Sequence, residues 1–253
     1  MDAKYMDSHI LIPKCVYKEF VNADNFYYKY SINAKKITKG YPKKTYTKKD
    51  YYSEAMEKAL NRHIETPLKD LLDFARELPQ KSNPFIVSSK IKEIALIYAK
   101  SLVARSELLI KYVTEDNDIL KIATIQDQHD MVVDFAMKNK KTNMLYDMFD
   151  ISFMVNETEI PFVLPTRGQY EYTIKGFLCI NIPLTPYCSL WLKQRGKTIR
   201  QIKDGEEEIA LIPKEQSDTV LQLNKYAFIR QSQDGLGYVV CDKIEILQNI
   251  SNN

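Results

Sequence analysis

The chain has 253 residues, long enough to bury a sizeable core, with 45% hydrophobic and 27% charged side chains. Its net charge of +3 is too small to imply nucleic-acid binding by itself, and seven glycines argue against glycine-rich phosphate loops or a turn-dense barrel. Four cysteines without a Cys-x-x-Cys pair, no secretory leader pattern and no apolar run of membrane length predict a cytoplasmic protein with reduced thiols, no metal and no cofactor.

In chain order, Ile12 is pushed toward extended geometry by Pro13. Val16 and Phe20, four apart, predict one packed face on a short helix. The stretch FYYKYSI (26–32) alternates, with Phe26, Tyr28, Tyr30 and Ile32 on one face and Tyr27, Lys29 and Ser31 on the other, the period of a half-buried strand. With Gly40 and Pro42 as turn punctuation, it reads as a β-hairpin whose wet side is lysine. Residues 27–52 hold eight lysines and seven tyrosines against one acid, Asp50. Such lysines discourage strand-on-strand aggregation, and Lys35, Lys36, Lys43 and Lys44 are also candidate contacts to nucleic-acid phosphates.

Tyr52, Met56, Leu60, His63 and Ile64 then recur at three and four, an amphipathic helix. Thr66-Pro67 predicts the cap and first position of a second helix, and Asn83-Pro84 of a third. The stripe of the third runs from Val87 through Ile94, Tyr98 and Leu102 to Val113, which places Arg105 in mid-helix. Asp118 predicts the cap of a fourth helix, and a short fifth spans 142–148. After Phe149 the pattern changes. ISFMV-NETE-IPFVL predicts a hairpin, GFLCINIPL and YCSLWLKQ two strands around Thr185-Pro186, and EEIALIP a fifth strand. Ser217 or Asp218 predicts the cap of a helix with Val220, Leu221 and Leu223 inward and Asn224 as a polar residue among them. GYVVCDK fits a strand or a helix start, and 244–250 a terminal helix. The expected fold is α+β in a single domain, 1–253: an N-terminal hairpin within 1–50, a helical bundle over 51–149, then a mixed, mostly antiparallel sheet with C-terminal helices over 150–253.

Several of these stretches, taken in order, resemble an uncharacterised, mainly bacterial family, domain-of-unknown-function family 4238. The residues are His9, Pro13, Tyr17 and Phe20; Tyr52 with Glu57 and Glu65; Arg105; the Pro-Leu-Thr-Pro turn at 183–186; and Asn224. The resemblance spans roughly 9–242. It implies a fold more than a function, and a setting among bacterial accessory genes, with phage-defence or toxin roles. Two features depart from the family pattern. The gap from His9 to Pro13 is four where the family has three. The stretch LPTRG (164–168) stands where the family carries Thr-Ser-Asp-Asn-Pro, so an acid is missing.

Each candidate has two readings. His9 can act as a base or ligand, or tie the N-terminal segment to the core. Arg105 can fork a phosphate or carboxylate, or pair with Glu57 or Glu65. Asn224 can read a ligand, or satisfy loop backbone. In DQHD (127–130), helical spacing separates His129 from Asp127, so a solvated face is a better reading than a metal cluster. Arg167 beside Gly168 fits an anion-binding loop or a plain hairpin connection. Two functions remain. One is an interaction or sensing module with a protein partner and no membrane. The other is a nucleic-acid-acting effector, a nuclease-like toxin with His9, Arg105 and Asn224 as its catalytic group.

Overall fold

The computed structural model describes residues 7–9, 11–80, 87–138, 149–194 and 209–252. They form an α+β fold in which strand alternation divides side chains between two cores. The central five-stranded sheet has the order β10-β5-β9-β8-β7, from β5 (Phe149–Asn156), β7 (Tyr170–Ile174), β8 (Phe177–Thr185), β9 (Cys188–Gln194) and β10 (Ile209–Ile212). All pairs are antiparallel except β10 with β5. Phe153 and Val155 on β5, with Leu190 and Leu192 on β9, enter the first core. Met154 and Trp191, on the opposite faces of the same strands, join the second.

The predicted N-terminal hairpin is present as β2 (Tyr27–Ser31) and β3 (Lys36–Gly40), with its turn at 32–35. It does not stand alone. β2 pairs with β11 (Tyr238–Cys241), which pairs in turn with β6 (Leu164–Pro165), so the first and last parts of the chain share one antiparallel sheet. Both faces of β2 are packed: Tyr27 lies in the first core, Tyr28 and Tyr30 against the second. A third, two-stranded ribbon joins β1 (Asp7–His9) to β4 (Thr47–Lys49).

Three helical readings are corrected. First, α2 (Glu54–Leu60) and α3 (Thr66–Glu77) are continuous through a turn of π-helix, Asn61–Glu65, in which the Thr66 N–H reaches back to the Asn61 carbonyl. Pro67 lacks an N–H, and its ring crowds the carbonyl four residues earlier in a regular helix. The widened turn relieves that conflict, so the proline does not start a new helix. Second, α4 (Ser89–Ala104), capped by Ser88, ends at Arg105, and α5 (Glu107–Glu115) begins after it. Arg105 is therefore a C-cap and not a mid-helix residue. Third, Asn117, not Asp118, caps α6 (Asp118–Ile122) through its Oδ1. The predicted start at Asn83-Pro84 and the predicted helix at 142–148 lie outside the described residues.

The predicted ISFMV–IPFVL hairpin is also corrected. Its first arm is β5, whereas its second holds β6 in the other sheet. Asn156 closes the NETE turn, accepting from the Thr158 N–H at 2.9 Å and donating to the Ile160 carbonyl at 2.7 Å. That local closure turns the chain away from the strand it would have paired with. DQHD is only partly a solvated face: Asp127 is exposed, but His129 is not. It lies on α7 (Ile125–Lys138), where His129 is buried against the Tyr51 ring with its Nδ1 2.9 Å from the Tyr51 carbonyl. Asp130 accepts the Ser53 N–H at the start of α2.

The first core packs α1 (Lys14–Glu19), α2, α3 and α4 against one face of the central sheet. The second packs α8 (Ser217–Gln233) and α9 (Ile244–Ser251) against the remaining sheet faces. No helix among the described residues is long and apolar enough to cross a membrane.

Candidate functional site

The end of α4 carries an ion cluster inside the protein. Arg105 is only 1% exposed, and its main-chain N–H closes the helix on the Ser101 carbonyl. Its guanidinium bonds the Tyr52 hydroxyl and lies 5.6 Å from that ring's centroid. Burial disfavours its charge, but Tyr52, Glu65 and Glu57 together outweigh burial and hold it above its ordinary value. Glu65 is raised, chiefly by burial, with Arg105 pulling it down and Glu57 pushing it up.

Around this cluster the phenols of Tyr17 and Tyr98 are pushed far up by burial, and the Cys15 thiol rises to about 11 through burial and the nearby Glu65. These groups stay protonated at neutral pH and are poor nucleophiles. The Tyr98 hydroxyl and Glu57 Oε1 are buried and find no hydrogen-bond partner among the described residues.

Directly beside the cluster is a cleft of about 330 Å³. Leu102 and Ser106, which flank Arg105, form one wall, and Arg167, Gln231, Asp234 and Leu236 the other. The Pro-Thr-Arg-Gly loop is firmly built. The Arg167 N–H donates to Gln231 Oε1 at 3.0 Å, Gln231 Nε2 donates to the Leu236 carbonyl at 2.8 Å, and Thr166 and Tyr238 exchange two bonds. Gly168 has φ +79°, and a Cβ there would lie 2.7 Å from Leu102, so only glycine lets the loop reach α4. The Arg167 side chain meets Glu171 at 3.1 Å and Asp234 at 3.4 Å. Asp234 is raised by burial, against the pull of Arg167.

The other sequence candidates lie as follows. Asn224 is fully buried on α8. Its Oδ1 accepts the Val163 N–H at 3.0 Å and its Nδ2 donates to the Pro161 carbonyl at 2.9 Å. That is the backbone-satisfying role. His9 sits on β1 opposite Thr47, and its side chain lies outside the described part of the structure. Lys35, Lys36, Lys43 and Lys44 are all exposed, Lys35 in the hairpin turn at φ 48° and Lys43 and Lys44 in a short 3-10 turn. None of the four forms an ion pair among the described residues. No group of three or more His, Cys, Asp or Glu among the described residues could hold a metal ion.

Sequence reasoning singled out Arg167 but missed Gln231, Asp234 and Lys111, which also lines the cleft. Gln231 carries a legible signal, as a polar residue near a helix end before the close glycines 235 and 237. Lys111 carries none, because an exposed helix lysine is the commonest kind.

No protein-family model, curated protein or solved structure matches the chain. The geometry defines an α+β protein with a small polar and apolar cleft, backed by a buried arginine–carboxylate cluster.

Proposed function

We propose that this protein works by binding rather than by turnover, as a sensing or interaction module whose ligand enters the cleft between the α4–α5 junction, the 165–169 loop and the end of α8. One observation carries the reading. The cleft presents polar groups, Arg167, Gln231 and Asp234, beside apolar Leu102 and Leu236, the mixture a small-molecule site uses for orientation and affinity. The acid missing from LPTRG and the raised thiol and phenols behind the cleft favour binding over catalysis. The resemblance to a family of bacterial accessory proteins favours a bacterial cytoplasm, a protein partner that receives the signal, and a place in phage defence. Four free cysteines agree with a reducing compartment.

The test is nuclear magnetic resonance of the labelled chain against a library of small metabolites. The reading expects at least one compound to shift the amides of Ser106, Arg167 and Gln231 together. If no compound does so, the cleft is not a ligand site.

A second reading, an effector acting on nucleic acid, is favoured by the four exposed lysines, which form no ion pair among the described residues. It requires a catalytic group, and Asn224 already bonds backbone at both ends of its amide.

A further inference from the structure

We propose that the cleft takes a free α-amino acid with an apolar side chain, its carboxylate held by Arg167 and Lys111 and its ammonium by Asp234. The proposal rests on reading the cleft as the ligand site, and it adds the chemical class.

Both signs of charge face the same small space. Arg167 and Asp234 approach at 3.4 Å, longer than a good charge-assisted bond, and their side chains are 26% and 29% exposed. The pair is therefore loose and reachable. A ligand carrying carboxylate and ammonium on one carbon can insert between them and give each a closer partner. Arg167 remains anchored by Glu171 at 3.1 Å, and a guanidinium has five donors, so a second carboxylate can be taken without releasing the first. Lys111 adds a positive charge at the cleft, 73% exposed, whose ion pair with Glu115 is long at 3.7 Å.

Two helix ends point the same way. Ser106, the N-cap of α5, lines the cleft and makes no side-chain capping bond, so its own hydroxyl does not cap the positive end of that helix dipole. Asp234 is the C-cap of the seventeen-residue α8, whose terminal carbonyls favour a cation. A simple anion would meet Asp234 and Glu171, and a simple cation would meet Arg167 and Lys111. A zwitterion meets neither conflict. Leu11, Leu102 and Leu236 leave an apolar wall for the side chain, and about 330 Å³ lies at the small end of ligand pockets.

The experiment uses the full chain, with leucine as the probe and leucinamide and N-acetylleucine as partners that each lack one charge. Titration is followed by calorimetry and by amide shifts at Ser106, Arg167 and Gln231. Leucine is expected to bind, with each derivative weaker by about tenfold or more. Asp234→Asn and Arg167→Gln are expected to weaken leucine by a similar factor while melting near the wild-type temperature. Asp234→Asn keeps the side chain's shape and serves as the control should Arg167→Gln loosen the loop. Derivatives that bind as well as leucine overturn the proposal. If leucine, valine and methionine all fail while another compound shifts the same amides, the amino-acid assignment falls and the ligand cleft stands. If nothing shifts them, both fall.

Discussion

Asn224 on α8 and Val163 beside β6, sixty-one residues apart, are joined by one amide: Asn224 Oδ1 accepts the Val163 N–H while its Nδ2 donates to the Pro161 carbonyl. The segment before β6 is too irregular to satisfy these main-chain groups within a sheet, and Pro161, Val163 and Asn224 are all buried. Asn224→Ala leaves both orphaned. It is expected to lose about 2–4 kcal/mol of stability in urea unfolding. Asn224→Asp keeps the acceptor and loses the donor, so it should also destabilise and not behave as wild type. A wild-type midpoint for both variants would remove the structural role.

This link also shows where the sequence was legible. Period-two alternation marked Tyr27–Ser31 as a strand, although Tyr27, on the face read as wet, is buried, and the apolar runs on either side of Thr185-Pro186 marked the β8–β9 pair. Asn224 stood out as a polar residue on an apolar helix, but its partners were invisible, because long-range backbone satisfaction leaves no local pattern. The same limit hid the pairing of β2 with β11 and the clamp of His129 on Tyr51. Pro67 misled because its usual place is a helix start, and a π-turn is a rarer solution to the same steric conflict. Of the cleft, Arg167 was readable from its place beside Gly168, but its meeting with Asp234 is made only by the fold.

Arg105 is buried at the end of α4, and its charge is favoured by Tyr52 and by the half-buried Glu65 and Glu57. Arg105→Met keeps most of the volume but strands Glu57 and Glu65, and about 3 kcal/mol is expected to be lost at neutral pH. The loss should depend on pH with a definite sign. Glu65 is already raised by burial, and removing Arg105 removes the charge that pulls it down, so it rises further. A carboxyl raised in the folded state contributes most stability below its unfolded pKa, and that contribution is lost as pH climbs toward the folded value. Arg105→Met should therefore recover stability between neutral and mildly acid pH more than wild type does. Adding Glu65→Gln should restore part of the neutral-pH loss and flatten that recovery. Chemical denaturation across pH measures both.

Gly168 and Gly176 separate two costs. Both have positive φ, but a Cβ at Gly168 meets Leu102 at 2.7 Å, whereas one at Gly176 meets nothing within 4 Å. Gly176→Ala is expected to cost about 1 kcal/mol for backbone conformation alone. Gly168→Ala should cost more, because the loop or the buried Leu102 side chain must also shift, and it should perturb the amides of Ser106 and Gln231. Equal losses would mean that the loop adjusts without cost.

The exposed lysines give a prediction for the second functional reading. If Lys35, Lys36, Lys43 and Lys44 hold phosphates, binding to single- or double-stranded nucleic acid must weaken steeply with salt. Replacing all four with glutamine should then reduce the log–log salt slope by about 3. Their exposure predicts an unchanged melting temperature. Binding with the same slope in the variant would assign any nucleic-acid contact to another surface.

The pH dependence of amino-acid binding follows from the surroundings of Asp234. Arg167 on the 165–169 loop and Lys111 on α5 share the cleft with it, and Glu171 on β7 acts on it from behind Arg167. Burial raises its carboxyl, Arg167 lowers it and Glu171 raises it again, with burial prevailing. Holding an ammonium requires the ionised form. Affinity should thus be full near neutrality and fall as pH drops, starting at a higher pH than for an ordinary aspartate. The bound ammonium in turn favours the carboxylate, so the complex should titrate lower than the free protein, with proton release on binding inside that window. Calorimetry in buffers of different ionisation enthalpy reads that release directly. Asp234→Asn should bind weakly at every pH and release no proton. A pH-independent affinity in the wild type would place the ammonium somewhere other than Asp234.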